Sequence, residues 1–421
     1  MRHAPWLLVL LLACATSEGS PQATTDGGAT VAHDAADATG DAGSGSDASA
    51  DVTAEPAPQV EDLRQVVPSA GLPPEVAPDN ANNNLDIVRH EGRLYLAFRT
   101  APTHFASPDV KLHVVSTTDE QSWRWEGTFA RGTDLREPRF LSWKGELRLT
   151  FAVLGASVLD FEPQGAMVTR LIAPGQWTEP TWFADDTFIP WRTKVIKGTP
   201  HMIGYTGGGN IYDEGAEPIS IHWLTTEDGD TWTPMVPNQP VVQTGGGSET
   251  DLEILDDGTV IAVTRNEAGD ETGYGSKICR AEPNSPGDWK CVHDPRKFDS
   301  PLVFRQGPDV WLIARRNVSE TGAYDLGLDD LPPQKRHQEY QLAYWKLPKR
   351  CALWRVDPVS LTVDHVLDLP SRGDTCFPGL VRESDSRVLV YNYSSPVDGD
   401  DLSWVDGQFG PTMIYRQIID F

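Results

Sequence analysis

The sequence is poor in basic residues, in cysteine and in long apolar segments. Its 421 residues include 35 Lys and Arg against 61 Asp and Glu, a formal charge of −26, and only five Cys. Such an acidic balance argues against binding to nucleic acid through its phosphates. GxGxxG, Walker, HExxH and CxxC motifs are all absent, and no His stands at ligand spacing near a Cys, so we predict neither a cofactor nor a metal site.

The first residues have the pattern of an export signal. Arg2 and His3 precede an apolar run that begins at Trp6 and is shorter than the roughly 20 residues a membrane-spanning helix needs. The run ends in Leu-Leu-Ala-Cys14, which resembles the bacterial lipobox, so residues 1–13 are predicted to be a lipoprotein signal peptide and Cys14 the lipidated residue. An ordinary signal peptide is the alternative. Ala15, in place of Asp after the Cys, favours the outer membrane of a Gram-negative cell.

A long segment after Cys14 lacks the apolar residues that folding requires. Residues 14–62 are rich in Ala, Ser, Gly and Asp, and Arg64 is the first basic residue after Arg2. Low hydrophobicity with charge of one sign is typical of a disordered, self-repelling tether. An acidic recognition tail is the alternative. We therefore assign 63–421 to the folded domain.

The remaining four cysteines agree with an oxidising compartment outside the cytoplasm. An even number of Cys in an exported chain indicates disulfides, and four Cys allow three pairings. We predict the pairs Cys279–Cys291 and Cys351–Cys376, because each joins neighbouring parts of the strands described next.

An internal repeat predicts the fold. Six segments share one plan, a short strand, a tight turn that often holds Gly, and a second strand of large apolar residues, and they recur at intervals of about 50 to 58 residues with one of about 78. Two further strands follow most copies. This spacing is typical of a β-propeller with four-stranded antiparallel blades. We predict six blades, with a segment near Val66 and Val67 or Leu72 completing the last; five blades would require one copy to be spurious.

The turns between the outer strands carry a recognisable motif. Thr226-Glu-Asp-Gly-Asp-Thr-Trp232 and, less closely, Thr117-Thr-Asp-Glu-Gln-Ser-Trp123 resemble the Asp box of sialidases. The Asp of such a turn caps backbone N–H groups and the Trp packs between strands, so its role is structural. The chain therefore resembles the sialidase-like (BNR repeat) six-bladed all-β propellers over roughly residues 64–421.

Polar side chains alternate along the first strand of each repeat, which should line the central channel. The inner-strand residues are Asn84, Asp86, Glu137, Arg139, Arg192, Lys194, Asp251 and Glu253. The second strands end at Arg99, Arg265, Arg315 and Tyr393, with Tyr391 nearby. We expect these residues to meet at a charged funnel that binds carbohydrate or another anionic ligand. A solvent-filled channel of mutually neutralising charges is the alternative.

The resemblance implies two catalytic arrangements. Sialidases bind the sugar carboxylate through three Arg, and Arg265 and Arg315 are candidates for that role. They also use a Tyr nucleophile that a Glu activates, for which the candidates are Tyr393 or Tyr391 and Glu249 or Glu253. Asp109 is the candidate acid/base. The Arg-Ile-Pro signature of that family is absent from the first inner strand, where Asn84-Leu-Asp86 stands instead. Other glycosidases use two carboxylates, here Asp86, Glu137, Asp251 or Glu253.

The sequence thus predicts a lipid-anchored, monomeric propeller on the bacterial cell envelope. Its expected function is that of an exo-glycosidase, and a module that binds glycan or protein without catalysis is the alternative. An insertion from Ser319 to Arg350 between the fifth and sixth repeats should project over the funnel, bringing Tyr340, Tyr344 and Trp345 to it.

Overall fold

Six four-stranded antiparallel blades form a β-propeller. The computed structural model describes residues 57–158, 162–185, 187–207 and 217–421. The predicted signal peptide, Cys14 and the tether up to residue 56 lie outside the described residues. The six-bladed prediction is confirmed, and the five-bladed alternative is wrong because six separate sheets are present.

The first three blades follow the chain from the inner strand outward. Blade 1 contains β2 (Ala81–His90), β3 (Arg93–Ala101), β4 (Lys111–Thr117) and β5 (Arg124–Phe129). Blade 2 contains β6 (Leu135–Trp143), β7 (Glu146–Leu154), β8 (Pro163–Ala173), the short β9 (Gln176–Trp177) and β10 (Thr181–Asp185). Blade 3 contains β11 (Ile189–Ile196), β12 (Thr199–Thr206), β13 (Ile219–Thr225), β14 (Thr233–Pro234) and β15 (Val241–Gly245).

The last three blades repeat this order, and the sixth also uses the first strand of the chain. Blade 4 contains β16 (Gly247–Ile254), β17 (Val260–Asn266), β18 (Lys277–Ala281) and β19 (Lys290–His293). Blade 5 contains β20 (Asp299–Gln306), β21 (Asp309–Asn317), β22 (Lys349–Val356) and β23 (Val363–Leu369). Blade 6 contains β24 (Gly379–Arg382), β25 (Arg387–Ser394), β26 (Met413–Asp420) and β1 (Gln59–Val67). Two helices lie in loops among the described residues, α1 (Pro333–Lys346) between β21 and β22 of blade 5 and α2 (Trp404–Phe409) between β25 and β26 of blade 6.

The ring is closed by β1, which pairs antiparallel with β26 from Gln59 opposite Asp420 to Val67 opposite Ile414. This confirms the expectation that a segment near Val66 and Val67 completes the last blade. The strand begins at Gln59, four residues before the predicted boundary. Pairing the two ends of the domain covers a sheet edge that would otherwise be open.

Tight turns and buried apolar side chains explain the blades. Three inner hairpins turn through Glu91–Gly92, Lys144–Gly145 and Lys197–Gly198, and both residues of each pair have positive φ. Two-residue turns of this kind match the twist of the paired strands. Neighbouring blades pack through clusters of buried side chains, such as Val114 of blade 1 and Leu149 of blade 2.

Both predicted disulfides are confirmed. Cys279 and Cys291 occupy paired positions on β18 and β19. Cys351 on β22 is bonded to Cys376, which precedes β24. The second bond therefore links blade 5 to blade 6 and does not join adjacent strands of one blade.

The Asp-box turns have the structural role expected of them. The Asp228 carboxylate accepts hydrogen bonds from the backbone N–H groups of Asp230 at 2.8 Å and Thr231 at 2.7 Å, and these bonds lower its pKa. Asp119 accepts the corresponding bonds from Gln121 and Ser122. Each carboxylate thus holds a turn at the outer edge of its blade.

Candidate functional site

A β-bulge interrupts the inner strand of each of the first five blades near its start. The register shifts lie between Asn83 and Leu85, Arg136 and Arg139, Pro190 and Arg192, Gly247 and Thr250, and Asp299 and Leu302. Asn84, Glu137 and Ser300, which lie in these bulges, have φ values of 40°, 51° and 51°. Bulges redirect side chains and often border functional sites. We call the end of the central channel at which these bulges lie the mouth.

Glu137 is the residue at the mouth whose surroundings are most unusual. Its Oε1 accepts a hydrogen bond from Asn84 Nδ2 at 3.1 Å, whereas its buried Oε2 has no hydrogen-bond partner. The nearest cationic group is Arg139, with Nη2 3.8 Å from Oε2. Burial raises the pKa of Glu137 to about 7, against the attraction of Arg139 and with a further upward contribution from Glu249. This carboxyl group can therefore hold a proton near neutral pH and give it up.

Glu249 comes from the bulge of blade 4 and is firmly ion-paired. Its Oε1 lies 2.6 Å from Arg265 Nη1, and its Oε2 accepts a hydrogen bond from the backbone N–H of Ser300 at 2.6 Å. Arg265 also lies 3.2 Å from Glu267 and 3.4 Å from Asp299. One guanidinium thus serves three carboxylates, which leaves it poorly suited to capture a carboxylate on a ligand.

Tyr205, at the end of β12, completes the mouth. Burial raises its pKa well above the ordinary value, and the negative charges of Glu267, Glu137 and Glu249 add to this effect. Its hydroxyl makes no hydrogen bond with any residue that the structure describes. A phenol in this position is a free donor for a ligand that enters the mouth.

A cap of three segments covers the side of the mouth next to blades 5, 6 and 1. It consists of α1, α2 and the loop at 102–110, and its aromatic rings pack together, with Trp345 5.6 Å from Trp404 and Phe105 4.9 Å from Phe409. Tyr340, Tyr344 and Trp345 are all buried. The insertion after β21 therefore reaches the mouth as predicted, but its aromatics pack within the cap.

Arg315 lies beneath the cap and is fully engaged by protein groups. It donates hydrogen bonds to the carbonyl of Thr375 at 2.7 Å, to Ser300 Oγ at 3.1 Å and to the Tyr344 hydroxyl at 3.2 Å, and it lies 5.0 Å below the ring of Trp404. Tyr344 in turn donates to Asp299. The predicted carboxylate-binding role would require these contacts to be replaced.

Tyr393 is buried in a separate hydrogen-bonded group under the same cap. Its hydroxyl donates to Asp374 Oδ1 at 3.0 Å, and His104 Nδ1 lies 2.6 Å from Asp374 Oδ2. Burial and the charge of Asp374 raise the pKa of Tyr393 well above its ordinary value. Tyr393 is therefore paired with Asp374, and the structure does not show the predicted Tyr393–Glu249 pair.

Two further predicted binding residues are engaged by protein groups. Arg99 is buried in an ion pair with Asp134 at 2.8 Å. The hydroxyl of Tyr391 donates to Glu120 Oε2 at 2.8 Å at the contact between blades 6 and 1. Both side chains hold neighbouring segments together.

The remaining inner-strand residues lie deeper in the channel and connect blades. Asp86 accepts a hydrogen bond from the backbone N–H of Phe140 at 2.7 Å, and Asp251 accepts one from Val303 at 2.7 Å. Lys194 lies 2.7 Å from Asp251.

Arg139 and Arg192 are buried between the mouth and the opposite half of the channel, and Glu253 faces that opposite half. Arg192 donates to the carbonyls of Pro301 in β20 of blade 5 and of Pro378 just before β24 of blade 6. The guanidinium of Arg139 lies 4.4 Å from the Phe377 ring. The inner-strand charges thus belong to two separate ends of the channel and do not form one funnel.

Sequence reasoning missed several of these residues. Tyr205 holds the strand-end position that Arg265 and Arg315 hold in other blades, so aligning the repeats more completely would have found it. Asp299, His104 and Asp374 lie at a strand start or in loops, where no repeating pattern marks them. Among the described residues no group of three or more His, Cys, Asp and Glu is arranged to hold a metal ion, and no helix has the length and apolarity to cross a bilayer.

Comparisons with known proteins support the fold. No known protein family matches the chain, and no curated protein matches it. Among solved structures, a protein of unknown function from Dyadobacter fermentans is 15% identical with a TM-score of 0.57, over 87% of this chain and 100% of that one.

Two solved enzymes are also similar. Trypanosoma rangeli sialidase is 11% identical with a TM-score of 0.52, over 81% of this chain, which spans only 55% of that protein. The phage phi92 endosialidase is 11% identical with a TM-score of 0.54, over 86% of this chain and 69% of that one. The protein has a sialidase-like propeller fold, and identities this low establish nothing further.

Proposed function

We propose that this protein is a glycoside hydrolase that uses Glu137 as general acid and Glu249 as its carboxylate partner. The observation that carries the proposal is the contrast between the two carboxyl groups, because Glu137 has a pKa raised to about 7 and an oxygen with no hydrogen-bond partner, whereas Glu249 lies 2.6 Å from Arg265. Two neighbouring carboxyl groups in such different environments are the usual basis of glycosidic bond cleavage.

The contacts favour a neutral sugar over a sialoside. A sialoside needs arginines that are free to bind its carboxylate, but Arg99, Arg265 and Arg315 are already engaged by carboxylates, carbonyls and hydroxyls of the protein. Tyr393 is paired with Asp374 in place of a Glu. The buried side chains of Arg139 and Arg192 lie below the mouth, and an inner end that they close would suit removal of a terminal sugar.

The proposal is tested with a panel of fluorogenic glycosides that includes sialosides, using the purified protein. We expect Glu137→Gln and Glu249→Gln each to lower kcat/KM on the preferred neutral glycoside by about 100-fold or more, since a general acid contributes about that much. The rate of the wild-type protein should fall above about pH 7, as Glu137 loses its proton.

Glu120→Gln is the matched control. Glu120 is also a partly exposed Glu with positive φ, at 58°, but its carboxylate pairs with Arg416 at the contact between blades 6 and 1. This variant should keep full activity. Equal losses in all three variants, or cleavage of sialosides alone, would contradict the assignment.

A binding module without catalysis is the second candidate, and the cap is the observation that favours it. The aromatic side chains Trp345 and Trp404 hold the cap closed on one side of the mouth, and only 12% of the Glu137 side chain is exposed. In that case no glycoside is turned over, and a glycan array detects binding that Glu137→Gln weakens only modestly.

We also propose that the propeller acts on the cell envelope, as a monomer held to the membrane by a lipid on Cys14. The support is the lipobox-like Leu-Leu-Ala-Cys14 and the acidic segment that follows it. Detergent phase partitioning of the wild-type chain and of Cys14→Ser, expressed in a Gram-negative host, tests this. We expect the variant to move to the aqueous phase, and wild-type protein found there as well would exclude the anchor.

A further inference from the structure

The half of the channel opposite the mouth contains a cavity of about 550 Å³. It is lined by the second halves of the inner strands and the turns after them, at residues 86–89, 139–142, 192–197, 253, 254, 256, 302–305, 380 and 382. It opens at the end where the inner hairpins turn. Its volume is within the range of pockets that bind small molecules.

The charge of this cavity is opposite to that of the protein as a whole. Seven Lys and Arg side chains line it against three carboxylates, although the chain carries a net charge of −26. The carboxylates are also occupied. Asp86 accepts a hydrogen bond from Phe140 N–H, Asp256 pairs with Arg305 at 2.5 Å, and Glu253 Oε1 accepts one from Ile254 N–H at 3.0 Å.

Three of the seven cations in the cavity, Arg192, Lys197 and Arg382, are held by uncharged groups alone. Arg192 donates to three backbone carbonyls, of Ser300, Pro301 and Pro378, and Lys197 to those of Leu255 and Asp256. Carbonyl groups satisfy these donors without cancelling their charge, so the cavity keeps a positive potential.

Three cations surround the opening and are exposed to solvent. Arg89 comes from blade 1, Lys197 from blade 3 and Arg382 from blade 6. Arg89 makes no hydrogen bond or ion pair with any described residue. At the inner end, burial and then the charge of Arg192 lower the pKa of Arg139, and an anion near these two side chains would relieve that repulsion.

From this arrangement we propose that the cavity binds a phosphate or sulfate oxyanion, either as the free ion or as an ester. Planar guanidinium groups and ammonium groups from several directions suit such a group, and the long-range field attracts it. The cavity is larger than a bare ion, so there is room for a sugar that carries the phosphate or sulfate. This site is separate from the mouth and uses neither Glu137 nor Glu249.

Isothermal titration at low salt tests the proposal with inorganic phosphate, glucose 6-phosphate, glucose 6-sulfate and uncharged glucose. We expect both esters, or phosphate, to bind with a Kd below about 10 mM, and glucose not to bind. Tighter binding of the esters identifies a sugar ester as the ligand, and equal binding identifies the free ion. Binding of glucose as strong as that of its esters, or no binding of any anion, overturns the proposal.

The double variant Arg89→Gln/Lys197→Gln removes two cations at the opening. It should raise the Kd for the best anion at least tenfold, which is about 1.4 kcal/mol. Arg131→Gln/Lys335→Gln is the matched control, because it removes the same charge at two exposed positions outside the cavity. We expect no more than a small change in that control. Equal weakening in the two double variants would mean that only the overall charge attracts the anion, and the site would be rejected.

Discussion

The two ends of the central channel are built from the same six inner strands, yet they present opposite charges. At the mouth, Arg265 is shared by Glu249, Glu267 and Asp299, and Oε2 of Glu137 is left without a hydrogen-bond partner. At the opposite end seven Lys and Arg side chains line the cavity against three carboxylates, and Arg192 and Lys197 are held by backbone carbonyls. The comparison shows that the hydrogen-bond and ion-pair partners of the charged side chains decide whether a ligand meets negative or positive charge at each end.

Arg192 lies between the two ends of the channel and joins blades 3, 5 and 6, so its replacement should lower the stability of the fold more than the other substitutions in this comparison. Arg192→Met leaves the carbonyls of Pro301 and Pro378 buried without donors, at 3.0 and 2.8 Å from where the guanidinium nitrogens now lie. We expect the free energy of unfolding to fall by about 3 kcal/mol, because a buried polar network loses its central donor. Urea denaturation measures this loss.

Arg89→Gln is the comparison for that experiment. Arg89 lies on the same channel but is exposed and has no described partner, so its replacement should change stability by less than about 0.5 kcal/mol. If both variants were equally stable, Arg192 would not be the residue that joins blades 3, 5 and 6, and the two ends of the channel would not depend on it.

The fold could be predicted from the sequence because each blade repeats the same local signals. Glu91–Gly92 and Lys144–Gly145 are turn sequences between apolar strands, and the repeat interval fixed the number of blades. The closing strand near Val66 was also predictable, since a ring needs a partner for its last edge.

The candidate site was only partly predictable. Alternation correctly placed Asp86 and Glu137 on the channel, but it could not show that a bulge separates them into different ends. Tyr391 and Tyr393 are two residues apart and share a face of β25, yet they pair with Glu120 and Asp374 respectively. Those partners lie in a turn and a loop far away in the chain, and strand periodicity carries no information about them.

The pH dependence of stability gives a smaller effect that distinguishes the two ends. A carboxyl group whose pKa is raised by folding destabilises the protein as it ionises, so the wild-type chain should lose stability as the pH rises from 4.5 to about 7 because of Glu137. Glu137→Gln removes this loss, which is at most about 3 kcal/mol. The variant should therefore gain in Tm relative to the wild type between about pH 4 and about pH 8.

Glu253→Gln makes the matching measurement in the opposite half of the channel. Burial raises the pKa of both groups, and each has two cations and one carboxylate nearby, but Glu253 accepts a hydrogen bond from the Ile254 N–H whereas Oε2 of Glu137 has no hydrogen-bond partner. We therefore expect a change of the same sign and smaller size in the Tm difference over the same pH range. A larger change for Glu253 than for Glu137 would mean that its negative charge is the less well stabilised of the two. The cavity around Glu253 would then lack the positive potential that sets the two ends of the channel apart.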